Sequence, residues 1–189
     1  AFSDVTVEPN VTATVNTSLT GNSSLRKLGS GTLVLNRGSS YTQGTSLAAG
    51  TLVVGHNAAL GAGALTALAG TTLDASTTVA LSNAVALNGN LNIAGNANLT
   101  LGGVITGAGG SLVKNGAANL ILNGSNTYSG GTTLNAGTLT VGNAGALGSG
   151  NLTVTGAATL DSNTSVALAN NVVLNADLGI GGSSALTLG

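Results

Sequence analysis

Short apolar runs with an alternating pattern recur along the whole chain. In Leu120-Ile-Leu122 and Leu139-Thr-Val141, two apolar residues flank a single intervening position. A period of two is typical of a β-strand, in which successive side chains point to opposite faces. No stretch carries the i, i+3, i+4, i+7 spacing of an amphipathic helix for long enough to form one. The pattern therefore predicts an all-β protein.

The other runs of the second half of the chain are equally short. They are Leu134, Leu152-Thr-Val154, Leu160, Val166-Ala-Leu168, Val172-Val-Leu174, Leu178-Gly-Ile180 and Leu186-Thr-Leu188. Gly, Asn, Ser and Thr separate them, and these residues favour tight turns. Strands of this length are too short for a sandwich, and they follow one another too closely for βαβ units.

An internal repeat organises these strands. The segment from Ser24 to Leu52 recurs from Ser111 to Leu139 at an offset of 87 residues (111 − 24), and the offset holds without a gap to the end of the chain. About half of the aligned positions are identical. Short strands, Gly/Asn corners and a fixed period predict a parallel β-helix, a solenoid of stacked coils. At roughly 20–25 residues per coil, each unit holds about four coils and the chain about eight or nine.

The repeat divides one continuous β-helical domain into three parts. Residues 24–110 form the first unit and residues 111–189 a second, truncated unit. Residues 1–23 alternate in the same way and are interpreted as a partial upstream repeat. Because the second unit stops within the repeat and neither end carries a readable cap, we expect the sequence to be a piece of a longer solenoid.

Composition excludes several classes of function. Only 5% of the residues are charged, the net charge is −1 and cysteine is absent. Without a basic patch, nucleic acid is not an expected partner. The apolar residues never form a run of about 18, so the sequence predicts no membrane-spanning helix.

The order of residues in both copies resembles the passenger-associated repeat of bacterial autotransporters, the type V secretion proteins. The resemblance rests on Gly-x-Leu-x-Lys-x-Gly, Leu-x-Leu-x-Gly-x-Asn-x-Tyr-x-Gly-Gly-Thr and Ala-Gly-Thr-Leu. The first copy departs from this order at Leu28, Arg37 and Gln43. The repeat positions assigned a structural role are Leu25, Lys27, Gly29, Leu33, Leu35, Tyr41, Gly44, Thr45, Gly50, Leu52, Leu112, Lys114, Gly116, Leu120, Leu122, Asn126, Tyr128, Gly130, Gly131, Thr132, Gly137 and Leu139.

The resemblance implies a right-handed parallel β-helix that forms part of a secreted passenger. It further implies export through the outer membrane by a C-terminal β-barrel translocator, and a location at the bacterial cell surface or outside the cell. Passengers of this kind commonly serve adhesion, self-association and biofilm formation, with host or carbohydrate surfaces as possible partners. Neighbouring coils of the same passenger are the other implied partner.

Candidate catalytic chemistry is sparse. Asp74 and Asp161 are equivalent in the two copies and are interpreted as corner residues that cap backbone amides. Four coils place them about 19 Å apart, beyond the ~10 Å within which paired glycosidase carboxylates act. The single histidine, His56, aligns with Asn143 and is predicted to lie in an exposed turn. The sequence therefore predicts no catalytic, metal or cofactor site.

The repeated Lys27 and Lys114 are expected to pack their stems on a neighbour with the amine in solvent. Tyr41 and Tyr128 are expected to cover the core from a turn. The leading hypothesis is a non-catalytic scaffold segment, in which each coil templates the next during export. Two alternatives use the same fold: a polysaccharide lyase or hydrolase, which needs a charged groove, and an ice-binding solenoid, for which Thr-x-Thr occurs at Thr12-Ala-Thr14 and Thr138-Leu-Thr140 but not in every coil.

Overall fold

Parallel strands of two to five residues, joined by tight corners, make up the computed structural model, which describes residues 2–189. In chain order the strands are β1 (Phe2–Thr6), β2 (Thr12–Val15), β3 (Ser24–Leu28), β4 (Thr32–Leu35), β5 (Thr45–Leu47), β6 (Thr51–Val54), β7 (Leu65–Leu68), β8 (Thr71–Ala75), β9 (Val79–Leu81), β10 (Val85–Asn88), β11 (Asn90–Ile93), β12 (Leu99–Leu101), β13 (Ile105–Thr106), β14 (Ser111–Lys114), β15 (Asn119–Leu122), β16 (Thr132–Leu134), β17 (Gly137–Val141), β18 (Leu152–Val154), β19 (Ala158–Ser162), β20 (Val166–Leu168), β21 (Val172–Leu174), β22 (Leu178–Ile180) and β23 (Leu186–Leu188).

The strands build a three-sided solenoid. Face 1 contains β1, β3, β5, β7, β10 and β13; face 2 contains β2, β4, β6, β8, β11, β14, β16, β18 and β21; face 3 contains β9, β12, β15, β17, β19 and β22. β20 and β23 pair with each other and continue face 1, because they follow face 3 in the path of the chain. The strand pairs are parallel, as in β1 with β3 and β14 with β16. The predicted all-β parallel solenoid is therefore confirmed.

Nine strands stack on face 2, so the described part of the chain makes about nine coils, as predicted. One coil takes about 20 residues: Leu112 pairs with Thr132 and Thr132 with Leu152. At about 4.8 Å per stacked strand the solenoid is roughly 40 Å long. Within residues 2–189 there is no helix long and apolar enough to cross a membrane.

The second copy of the repeat is rotated about the solenoid axis relative to the first. β3, on face 1, corresponds to β14 on face 2, and β4, on face 2, corresponds to β15 on face 3. A strand of face 3 likewise has its equivalent on face 1, since β12 corresponds to β23. An 87-residue unit therefore spans four coils and one further side. The prediction of about four coils holds for the length, but equivalent residues lie on different faces, one third of a turn apart.

The core is a set of apolar columns that run along the inside of the three faces. On face 3 the buried column consists of Val79, Leu99, Leu120, Leu139 and Leu160, and it continues to Ile180, which is exposed. Burying one such side chain contributes about 1.5–3 kcal/mol relative to leaving it exposed. The inward residue of each strand is fixed by the period of two, so the sequence pattern selects the core directly.

Candidate functional site

The two repeat lysines lie inside the solenoid. Both side chains are 0% exposed. Lys27 occupies a rung of the inner column of face 1, between Val5 and Leu47. Lys114 occupies a rung of the inner column of face 2, between Ile93 and Leu134. Each therefore stands where the neighbouring coils place an apolar side chain.

Backbone carbonyls surround each buried ammonium. The Lys27 Nζ donates to the carbonyl oxygens of Leu28 at 3.0 Å, Gly29 at 2.7 Å and, in the next coil, Ala49 at 3.1 Å. Lys114 Nζ donates to the carbonyl of Gly116 and, at 3.2 Å, to that of Ala136 in the next coil. Gly29 and Gly116, like Ala49 and Ala136, are separated by the repeat offset of 87 residues.

The prediction that these amines reach solvent is wrong. The lysine stem is packed as expected, but period-two alternation points it inward, where the ammonium meets carbonyls of the corner instead of water. Burial lowers the pKa of Lys114 to about 8 and lowers the pKa of Lys27 in the same direction. At neutral pH the Lys114 ammonium still carries its charge.

The repeat tyrosines seal a strandless side of the solenoid. Tyr41 is 3% exposed and Tyr128 0% exposed, so the expectation that they lie against the core is confirmed. The Tyr128 hydroxyl shares a 2.6 Å hydrogen bond with the Thr132 hydroxyl, and Tyr41 makes the same 2.6 Å bond with Thr45. Burial raises the pKa of Tyr128 to about 12 and also raises the pKa of Tyr41.

The repeat aspartates cap corner amides, as predicted. Asp74 Oδ1 accepts from the backbone N–H of Ala75 at 2.8 Å and, in the next coil, from that of Asn96 at 3.1 Å. Asp161 Oδ1 accepts from the N–H of Ser162 at 2.8 Å, while its Oδ2 accepts from the hydroxyl of Ser183 at 2.7 Å. The Ser183 hydroxyl is the main cause that holds the pKa of Asp161 below its usual value. Both carboxylates thus join consecutive coils.

His56 lies in an exposed turn, as its alignment with Asn143 predicts. Its Nδ1 accepts the backbone N–H of Ala58 at 3.0 Å, and the Oδ1 of Asn143 accepts the equivalent N–H of Gly145 at 2.8 Å. The histidine therefore performs the turn-closing role of an asparagine. A turn acceptor of this kind needs no partner acid or nucleophile.

A pair of buried asparagines was missed by sequence reasoning. Asn83 Nδ2 donates to the carbonyls of Gly61 at 3.0 Å and Gly63 at 2.7 Å in the preceding coil. Asn170 Nδ2 repeats this with Gly148 at 3.0 Å and Gly150 at 2.7 Å. The signal that identifies them is the 87-residue offset, which preserves an asparagine before a strand in both units.

The other repeat positions have the places that their residue types require. The motif leucines are buried in the inner columns, and Asn126 bridges coils by accepting the Ile105 N–H at 2.7 Å and donating to the Ala146 carbonyl at 2.7 Å. The motif glycines lie at corners that press against the backbone of an adjacent coil; these are Gly29, Gly44, Gly50, Gly116, Gly130, Gly131 and Gly137. Among residues 2–189, every buried side-chain nitrogen or oxygen has a hydrogen-bond partner.

Surface charge is confined to small, separated sites. Arg26 makes a two-pronged ion pair with Asp4, with Nε–Oδ1 at 2.9 Å and Nη2–Oδ2 at 2.7 Å, and its guanidinium lies 5.0 Å from the centre of the Phe2 ring. The hydrogen bond from Arg26 is the main cause that lowers the pKa of Asp4. In the part of the chain that the structure describes, no group of three or more His, Asp or Glu residues is placed to hold a metal ion.

Face 2 presents one outward column along the length of the solenoid. Its members are exposed or half-buried, and none is charged: Thr12, Thr32, Thr51, Thr72, Asn92, Val113, Thr133, Thr153 and Val173. Stacked strands place successive members about 4.8 Å apart. Four consecutive coils therefore offer threonine at the same position, a regularity that the sequence pattern Thr-x-Thr did not reveal.

Residues 25–54 and residues 112–141 each match the family model described as the passenger-associated-transport-repeat. Two segments of the chain are thus similar to this transport repeat. The first segment runs from β3 to the end of β6 and the second from β14 to the end of β17. Each therefore begins at the strand that bears the buried lysine. The sequence-based resemblance is thereby confirmed for these two segments. No curated protein and no solved structure in the comparisons matches the chain.

Proposed function

We propose that this chain is a non-catalytic scaffold segment of an autotransporter passenger, exported to the bacterial cell surface. The observation that carries the proposal is the presence of two passenger-associated transport repeats in one continuous parallel solenoid. In such a solenoid each coil offers its strand edges and column ends to the next coil, so stacking proceeds by nearest-neighbour addition. Folding outside the membrane then opposes sliding of the chain back into the cell.

The parent protein, on this proposal, supplies a C-terminal β-barrel translocator and further coils as partners. Low charge and the absence of cysteine suit passage through a pore, because no disulfide closes a loop before export. The side chains that connect coils are polar and uncharged or singly charged, and none requires a cofactor. The scaffold role accounts for the repeated residues without assigning a reaction to any of them.

Secretion of register-preserving deletions tests this role. Removing residues 112–131 joins Ser111 to Thr132, which pairs with Leu112, and deletes one coil that includes repeat residues. Removing residues 65–84 joins Ala64 to Val85, which pairs with Leu65. It deletes one coil that lies outside the matched segments 25–54 and 112–141. With each variant fused to an autotransporter translocator, we expect the first deletion to reduce protease-accessible surface display more than the second. Equal display of the two variants would contradict a special role of the repeats in export.

We further propose that face 2 serves self-association or adhesion. The uncharged column of face 2 supports this, since it presents six threonines, one asparagine and two valines along the solenoid without like-charge repulsion between copies. Contact with a host or carbohydrate surface uses the same hydrogen-bonding groups. The polysaccharide lyase or hydrolase alternative lacks a supporting cluster of carboxylates, since Asp74 and Asp161 both act in corners.

A further inference from the structure

Glycine corners create an unusual concentration of carbonyl oxygen next to each buried lysine. Gly50 stacks over Gly29 so closely that a Cβ at Gly50 would lie 2.7 Å from the Gly29 carbonyl oxygen. In the second unit, a Cβ at Gly137 would lie 2.5 Å from the Gly116 carbonyl oxygen. Because the stacked glycines carry no side chain, the carbonyls remain accessible from the interior, where only a cation or another donor can satisfy them.

Two of the lysine bonds recur in both units although the units lie on different faces, and Lys27 adds a third bond to the Leu28 carbonyl. In each case the ammonium takes one carbonyl from its own corner, Gly29 or Gly116, and one from the next coil, Ala49 or Ala136. The neighbouring rungs of the column are apolar, so packing alone would be met by leucine. Two independent copies of this arrangement indicate that the charge itself is what the corner requires.

We propose that the carbonyl oxygens of two stacked glycine corners form a binding site for an ammonium cation, which the chain fills from inside with its own lysine. The charge then ties one coil to the next beside two stacked glycines, which have no side chain to contribute. Hydrogen bonds from a charged donor are stronger than those from a neutral one, and a buried charge that loses them is costly. This inference concerns the stability of the solenoid and holds or fails independently of the proposed role in export.

Paired substitutions in one column separate charge from packing. Lys114→Met keeps an unbranched chain but removes the cation, while Leu134→Met changes the next rung of the same column without affecting a charge. We expect urea denaturation to show that both substitutions lower the ratio of folded to unfolded chain. The ratio for Lys114→Met should be lower than that for Leu134→Met by a factor of about ten or more. Replacing a whole buried ion pair by apolar side chains is often neutral or stabilising, so a buried charge does not by itself guarantee stability. An equal or smaller effect of Lys114→Met would therefore overturn the proposal.

Chemical rescue tests the cation directly. Lys114→Ala removes three carbons and the ammonium group, which n-propylammonium matches, and 1-propanol is the neutral compound of matching length. We expect n-propylammonium to raise the urea midpoint of Lys114→Ala relative to its effect on the unsubstituted chain, and 1-propanol not to do so. If the two compounds raise the midpoint equally, the site is an apolar cavity and the proposal fails.

The unsubstituted chain provides a readout if the alanine variant does not fold. Lys27 and Lys114 are the only lysines, so their side-chain ammonium groups give at most two ¹H–¹⁵N signals. Protons held by carbonyls exchange slowly with water, and we expect both signals to be visible at neutral pH. Thr78→Lys, at an exposed position, is the control whose ammonium protons exchange rapidly. Loss of both native signals under conditions where the chain is folded would contradict the carbonyl site.

Discussion

At the scale of single residues, the side chains that look most like functional groups form bonds within the solenoid. Lys114, Tyr128 and Asp161 each bond to a neighbouring coil or corner, and each has an equivalent 87 residues earlier. Recurrence at the repeat offset is expected of residues that build every unit. A catalytic site, by contrast, needs different groups brought together once.

The tyrosine–threonine pair allows a residue-level prediction. Tyr128→Phe removes the hydrogen-bond partner of the buried Thr132 hydroxyl, whereas after Tyr41→Phe the Thr45 hydroxyl retains the Leu60 carbonyl at 3.4 Å. We expect Tyr128→Phe to cost about 1–3 kcal/mol of unfolding free energy and Tyr41→Phe less, because an unsatisfied buried hydroxyl is the larger penalty. Urea denaturation of the two variants checks this, and a larger loss for Tyr41→Phe would disprove the reasoning.

At the scale of the element, the corner is what holds successive coils together. Strands of three or four residues offer few backbone bonds, so side chains at the corners connect the coils, as Asp74 does with Asn96 and Asn83 with Gly63. The corners also need glycine where two backbones touch. Sequence pattern identifies these glycines as turn residues, but the adjacent coil determines which of them tolerate a side chain.

Gly137 and Gly109 separate the need for a left-handed backbone from the need for space beside an adjacent coil. Both have positive φ, +72° and +75°, so alanine is strained at either site. A Cβ at Gly137 would also lie 2.5 Å from the Gly116 carbonyl oxygen, whereas a Cβ at Gly109 has nothing within 4 Å. We expect Gly109→Ala to cost about 1–2 kcal/mol, the penalty of the left-handed conformation, and Gly137→Ala clearly more. Thermal unfolding of both variants measures the difference, and equal melting temperatures would show that the corner yields without cost.

At the scale of the whole molecule, the repeat turns as it advances. Because one unit spans four coils and one further side, equivalent surfaces of the two units face different directions. Face 2 nevertheless keeps a continuous uncharged column, since both units contribute threonine, valine or asparagine to it. This long uncharged column distinguishes face 2 from face 1, where Asp4 and Arg26 pair on the outward side.

Charge placed on face 2 tests its proposed role in self-association. Thr133→Glu adds a carboxylate to the outward column of face 2, and Thr66→Glu adds the same group to the outward row of face 1. We expect Thr133→Glu to weaken self-association through like-charge repulsion and desolvation, and Thr66→Glu to leave it unchanged. Sedimentation velocity over a range of protein concentrations reports the oligomer. An equal response of the two variants would exclude face 2 as the contact surface.

The sequence by itself determined the class of the fold, the approximate number of coils and the apolar part of the core. Period-two alternation selects Leu120 and Leu122 as inward residues wherever the strand lies, and the 87-residue offset identifies the repeat. These are local properties, and local properties are readable from one chain.

Only the tertiary structure decided how the coils meet. Lys114 points into the carbonyls of Gly116 and Ala136 instead of into water. This depends on a neighbouring coil, whose Ala136 lies 22 residues away, and on the glycine corner stacked there. The one-third turn between units likewise arises from the fraction of a coil left over after four complete ones. The number of residues in each coil decides which residues meet across coils. Apolar spacing alone gives that number only to within a few residues.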